Sequence, residues 1–212
     1  MPVKITPQHN LSHSRRIFAL GLLVLFVACS APLVRHHLEK YPSHQIKAEW
    51  TEVKDSTGAY YQQGPYSAYH ENGRLDTKGV YRNGKREGRW ESYWDNGRLR
   101  QVRIYKNGAE DGYCYSFYRS GVRQEEGEFK NGKRIGSWSV YFSNGKKSEE
   151  TYYRDGVADG WYMSWRENGL RHAEGKMTAG VKDSTWTVWD DAGQISHFEI
   201  YKSGELIATD NK

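Results

Sequence analysis

The chain has 212 residues, of which 14% are aromatic and 27% charged, with two cysteines and a formal net charge of +5. That charge does not describe its body: residues 1–29 hold Lys4, Arg15 and Arg16 and no acid, leaving 28 basic against 26 acidic side chains over residues 30–212. The balance excludes the basic footprint that a phosphate backbone requires, and with Cys29 lipidated Cys114 has no partner left for a disulfide.

Residues 1–16 are polar, and Ile17–Cys29 (IFALGLLVLFVAC) is apolar throughout. A basic start, a short apolar core and a small residue before a break read as a secretory signal, which takes no part in the fold. Phe26–Val27–Ala28–Cys29 resembles a lipobox, in which cleavage before the cysteine leaves Cys29 to carry lipid. Two alternatives stand beside lipidation. One is an uncleaved anchor, since the apolar run carried on to Val34 reaches eighteen residues, interrupted by Pro32. The other is simple cleavage. Ser14–Arg15–Arg16–Ile17–Phe18 resembles the twin-arginine export motif, although paired arginines also flank ordinary signals. The expected location is the cell envelope, with the protein membrane-anchored on its extracytoplasmic side.

Residues 30–45 have no periodicity and read as a tether. The His36–His37 doublet has no further ligands near it, so no metal site is expected there. From Ile46 the alternation of Ile46, Ala48 and Trp50 with polar residues, followed by Tyr60–Tyr61, reads as a β cap over 46–63. Trp50 is the only tryptophan outside the segment that follows, and is expected to cover its end.

Residues 64–207 repeat every 24 residues. Glycines fall in three columns. The first is Gly64, Gly88, Gly112, Gly136 and Gly160, with Ser184 in the sixth copy. The second is Gly73, Gly97, Gly121, Gly145, Gly169 and Gly193, and the third is Gly84, Gly108, Gly132, Gly156, Gly180 and Gly204. A fixed period without insertions marks a stacked repeat array. Within each copy an aromatic-rich run reaches Asn-Gly, and a second run reaches another, as at Asn96–Gly97 and Asn107–Gly108. Asn-Gly between two such runs predicts a two-residue type I′ hairpin turn, because asparagine tolerates and glycine freely adopts positive φ. Both turns of each copy are therefore expected to be of this kind.

The third position of the first strand is Tyr66, Trp90, Cys114, Trp138, Tyr162 and Trp186; the sixth is Tyr69, Tyr93, Phe117, Tyr141, Trp165 and Trp189. Seven of the eight tryptophans lie in first strands, so burial of large rings is expected to supply the stacking energy. The third and sixth positions differ in parity. Either a bulge near the first glycine resets the pleat, or aromatics line both faces. Twelve strands at ~4.8 Å spacing make a sheet roughly 55 Å long. The fold class is all-β, an elongated single-layer array of six 24-residue hairpins with a short tail at 208–212. The last copy, with Ser184, Ala192, Glu205 and Asp210, has the character of a cap.

The pattern Gly88, Trp90, Tyr93, Asn96, Gly97, and again Gly136, Trp138, Tyr141, Asn144, Gly145, resembles the bacterial variant of the MORN (membrane occupation and recognition nexus) repeat. The resemblance covers about two thirds of the chain and departs at Cys114, Ser120, Ser184 and Ala192. It implies interaction modules rather than enzymes. Proteins of this kind are labelled antitoxins of the YwqK type.

No catalytic constellation accompanies the repeats. His172 and His197 stand in unrelated columns without a nucleophile motif. The acidic pairs Glu125–Glu126 and Glu149–Glu150 are strand neighbours that point to opposite faces, which spoils them for acid–base work. Cys114 reads as a small buried residue. No enzyme activity, cofactor or metal is expected.

What remains is a surface. The seventh-position rings His70, Trp94, Tyr118 and Phe142 form the candidate binding face, giving way to Arg166 and Asp190; the competing reading makes them part of the core. The expected function is a monomeric protein-binding scaffold at the envelope, of antitoxin or immunity type, with an unidentified protein partner and no nucleic acid. The alternatives are binding of lipid headgroups or envelope polysaccharide, and a spacer without ligand.

Overall fold

The computed structural model describes residues 33–211, which form one open antiparallel sheet of sixteen strands. They are β1 (Val34–Lys40), β2 (Ile46–Lys54), β3 (Tyr60–Tyr69), β4 (Leu75–Arg82), β5 (Lys85–Tyr93), β6 (Leu99–Lys106), β7 (Ala109–Glu110) and β8 (Gly112–Phe117). The second half comprises β9 (Arg123–Lys130), β10 (Lys133–Tyr141), β11 (Lys147–Arg154), β12 (Val157–Trp165), β13 (Arg171–Thr178), β14 (Val181–Trp189), β15 (Ile195–Lys202) and β16 (Glu205–Asn211). Strands pair with their sequence neighbours; β7 and β8 are one interrupted strand, and both pair with β6.

Two boundaries differ from the sequence reading. Val34–Lys40, inside the expected tether, is a strand paired with β2, and the expected tail belongs to β16, which pairs with β15. The first hairpin is a seventh copy. Its Tyr41 hydroxyl donates to the Tyr69 carbonyl at 2.9 Å, as seventh-position side chains do further along. The glycine columns could not reveal it, because its turn places His44, not glycine, at φ 68°.

The two turns of each repeat are different. The second is the expected type I′: Asn83 and Gly84 have φ of 51° and 73°, and Ala179 and Ser203 hold the asparagine position at 50°. The first turn is not. Only its glycine is left-handed (Gly73, φ 78°), with His70 N–H donating to Arg74 O and Gly73 N–H to His70 O, both at 2.8 Å. This is a three-residue loop, a type I turn closed by a left-handed glycine. Asparagine is useful there for its side chain, not its φ. Asn144 Oδ1 accepts from Lys146 N–H and its Nδ2 donates to the Glu167 carbonyl of the next repeat, each at 2.9 Å; Asn72 and Asn96 do the same. Asn144→Ala, which removes both bonds, is expected to lower stability by about 2 kcal/mol, and Asn144→Asp, which keeps the acceptor, by less. Urea midpoints of the two variants check this.

Aromatics line both faces. Trp90 and Ser92 are buried on one side of β5, while Arg89, Glu91 and Tyr93 alternate onto the other. At each repeat junction the first strand does carry an excess of two residues, for example Gly88–Trp90 opposite Gly79 alone. An even excess leaves the pleat's parity unchanged, so the third and sixth positions stay on opposite faces.

The packing alternates between neighbouring repeats, giving a true period of 48 residues. Trp90, Trp138 and Trp186 are 1–3% exposed and lie over Gly79, Gly127 and Gly175, where an added Cβ would stand 2.2–2.3 Å from the indole. Trp138 sits edge-on to Phe129 and Tyr153, under the Arg134 guanidinium at 4.1 Å, and its indole N–H donates to Glu128 O at 3.2 Å. Trp90 with Arg86, and Trp186 with Lys182, repeat the arrangement. The intervening third positions are Tyr66, Cys114 and Tyr162, paired directly with those same glycines. Rings of this size contribute about 3–5 kcal/mol each when buried, so three stacks carry much of a layer only one sheet thick.

Candidate binding surfaces

The seventh-position residues sit side by side where the first strands enter the three-residue turns. His70, Trp94, Tyr118 and Phe142 are all half-buried. Three of them bond the backbone of the following repeat: His70 Nε2 lies 2.9 Å from Tyr93 O, Trp94 Nε1 donates to Phe117 O at 3.2 Å, and the Tyr118 hydroxyl donates to Tyr141 O at 2.7 Å. Arg166 replaces the ring but keeps the donor, reaching Trp189 O at 2.6 Å. Phe142 has only backbone ties, its N–H donating to Lys146 O and its carbonyl accepting from Gly145 N–H. Three of the four rings are thus fixed in place along one edge, with Arg74, Arg98 and Arg119 exposed beside them.

The glycines of the second column, Gly73, Gly97, Gly121, Gly145, Gly169 and Gly193, close the adjacent turns with φ of 78–96°. First-column glycines fall into two classes. Gly88 and Gly136 are at 66–67° with open space where a methyl would project, and Ser184 takes the same place at 63°. Gly112 and Gly160 are at 134° and 153°, pressed against Ile104 and Tyr152. Gly64, at 88°, has open space. Cys29 lies outside the described residues.

The face opposite the tryptophan stacks carries a repeating ladder of charge and ring. Arg123 pairs with Glu126, Lys147 with Glu150 and Arg171 with Glu174, at 2.5–3.0 Å, with the cations lying over Phe117, Trp165 and Trp189. Glu126 also accepts from the Tyr113 and Tyr141 hydroxyls. Glu125 points the other way, to Arg103 and Arg134, so the two adjacent carboxylates are separated by the sheet. In the same ladder Glu91 accepts a 2.5 Å bond from the Tyr93 hydroxyl, which, with Lys78 and Arg89, draws its carboxyl down to about 2. Among the described residues no group of three or more histidine, cysteine or acidic side chains is placed to hold a metal ion.

Cys114 is 1% exposed, and burial pushes its thiol up to about 11. A raised value means that the folded state retains the proton. The associated stability is whole below the ordinary thiol range and is lost as pH rises toward 11. At pH 8 Cys114 is therefore expected to resist iodoacetamide until urea unfolds the sheet, which mass spectrometry of the labelled chain reads directly.

Sequence reasoning placed Trp161 with the stacking tryptophans. It is instead 65% exposed, on the face opposite Trp186. Tyr113 and Tyr152, at 51% and 45%, share that face. The signal was present: Tyr113 and Trp161 stand 48 residues apart in the second-position column, between Arg89, Ser137 and Thr185.

A single open sheet of stacked hairpins defines a β-hairpin repeat protein. Residues 62–83, 86–107, 110–131 and 134–155 match the family described as MORN repeat variant, at the spacing of the hairpins. Repeats of this class are protein- and lipid-binding modules. No curated protein matches the chain.

Proposed function

We propose that the chain is an exported, non-catalytic scaffold that holds a partner protein at the cell envelope, anchored on the extracytoplasmic side through lipid on Cys29. The observation that carries the reading is the edge of four adjacent rings, His70, Trp94, Tyr118 and Phe142, three of them hydrogen-bonded in place and flanked by exposed arginines. Aromatic and arginine side chains that are already ordered lose little freedom on association, and these are the residue types on which protein interfaces concentrate their energy. The resemblance to antitoxin-labelled repeat proteins points to an immunity-type role in which the bound partner is a toxin.

Two measurements on full-length protein made in a bacterial host test this. A chain starting at Cys29 with an added diacyl or triacyl mass, found in the membrane fraction and lost in Cys29→Ala, supports the anchor; an unmodified chain removes it. A protein that co-purifies from detergent-solubilised envelopes with the wild type, and is lost with Trp94→Ala/Phe142→Ala while circular dichroism is unchanged, supports the scaffold. Retention of that protein by the double variant would move the interface elsewhere.

A further inference from the structure

One row of the face opposite the tryptophan stacks lies largely in solvent, although Tyr113 and Ser137 donate hydroxyl bonds to Glu126 and Glu150 beside it. Tyr113 (β8), Glu128 (β9), Ser137 (β10), Tyr152 (β11), Trp161 (β12) and Lys176 (β13) follow one another across six neighbouring strands, and all six are exposed. Their register puts them on one face: Tyr113 is paired with Glu128, Ser137 with Tyr152, and Trp161 with Lys176. Tyr152 lies against the bare backbone of Gly160, immediately before Trp161, so the two most closely placed rings of the row are neighbours across a strand gap. A tryptophan 65% exposed costs solubility and adds little stability, which makes Trp161 the residue to explain.

The composition of the row selects its ligand. Every non-aromatic position carries a carboxylate, hydroxyl or amine, and the single acid and single base, Glu128 and Lys176, cancel. A protein interface core is depleted in glutamate, serine and lysine. Nucleic acid and anionic membranes demand an excess of cations. A sugar chain suits the row. Pyranose rings with equatorial substituents present apolar C–H faces that stack on aromatic rings, and a rim of hydroxyls that bonds carboxylates, amines and hydroxyls. The spacing suits it too. One hairpin advances the sheet by two strand spacings, ~10 Å, about the length of a disaccharide unit in an extended β-1,4-linked chain. Trp161 and Tyr113 are four spacings apart, ~19 Å, or two such units.

We propose that the Tyr113–Trp161 row binds an extended β-1,4-linked glycan running along the sheet across the strands. The row shares no residue with the ring edge, so it stands or falls independently of the scaffold reading. The test titrates full-length protein in detergent with cellohexaose, chitohexaose and the corresponding disaccharides, followed by tryptophan fluorescence and calorimetry. One of the hexasaccharides is expected to bind at least about tenfold more tightly than its disaccharide, since only the longer chain spans both rings. Trp161→Ala is expected to weaken it by about tenfold or more, and Tyr113→Ala to bring hexasaccharide affinity close to that of the disaccharide. Trp161→Phe should recover part of the loss, and unchanged urea midpoints will show that the exposed substitutions leave the fold intact. Absence of binding by either hexasaccharide, or binding indifferent to Trp161→Ala, overturns the proposal. So does a protein captured through Trp161 when neither glycan binds.

Discussion

Replacing Gly127 by alanine is expected to destabilise the sheet by about 3 kcal/mol or more. The added Cβ would stand 2.3 Å from Cδ2 and 2.4 Å from Cε2 of Trp138, which is 2% exposed. No small adjustment relieves an overlap of that depth. The indole is held between Phe129 and Tyr153 and by its bond to Glu128 O, so it must leave the stack, and its burial is lost with it. Trp138→Ala alone is expected to cost about 3–5 kcal/mol. The informative variant is the pair. The three atoms nearest the added methyl all belong to the indole, so Gly127→Ala/Trp138→Ala should be little worse than Trp138→Ala, a strong departure from additivity. Urea denaturation of the three variants measures it. Equal losses that simply add would mean that the glycine is required for a reason other than the ring. Gly79 with Trp90, and Gly175 with Trp186, should behave alike.

The second large effect separates two glycines that look identical in sequence. Gly136→Ser is expected to be nearly harmless, and Gly160→Ser to cost about 3 kcal/mol. Gly136 has φ 66° with open space around it, and Ser184 already occupies the corresponding place two repeats later at 63°. Gly160 has φ 153°, and a Cβ there would lie 2.8 Å from Tyr152 Cβ, which is fixed to its own strand and cannot swing away. Backbone strain and overlap therefore act together at Gly160 and are both slight at Gly136. Thermal or urea midpoints read the contrast, and because Trp161 adjoins Gly160, its fluorescence should shift at the same time. A comparable loss at both sites would show that the alternation of the junctions is not the controlling feature.

That contrast also explains how Ser184 fits. As a break in a glycine column it reads in the sequence as part of a terminal cap. Its neighbours place it in the half of the repeats where a left-handed residue with a side chain fits, so the array continues through it without a defect. The cap lies further on, in β16, an exposed edge strand that carries Glu205 and Asp210 and discourages pairing with another sheet.

Taken alone, the sequence determined the repeat length, the hairpin unit and the type I′ turns at Asn83, Asn107 and Asn131. These were legible because each depends on a local requirement: positive φ at two adjacent residues, or a run long enough to be a strand. The candidate ring edge was legible for the same reason, as a column at fixed distance from a turn. Tertiary structure decided what depends on partners across the strand gap. Whether Asn144 serves its own turn or the next repeat, which face receives Trp138 and which Tyr141, and why Trp161 is left in solvent all follow from cross-strand register. Gly127 and Trp138 are eleven residues apart in the chain, and nothing local to either says that one is the floor on which the other lies. The 48-residue alternation is written in the sequence, but it acquires meaning only when the sheet brings each glycine beneath its ring, because a void and the group that fills it belong to different strands.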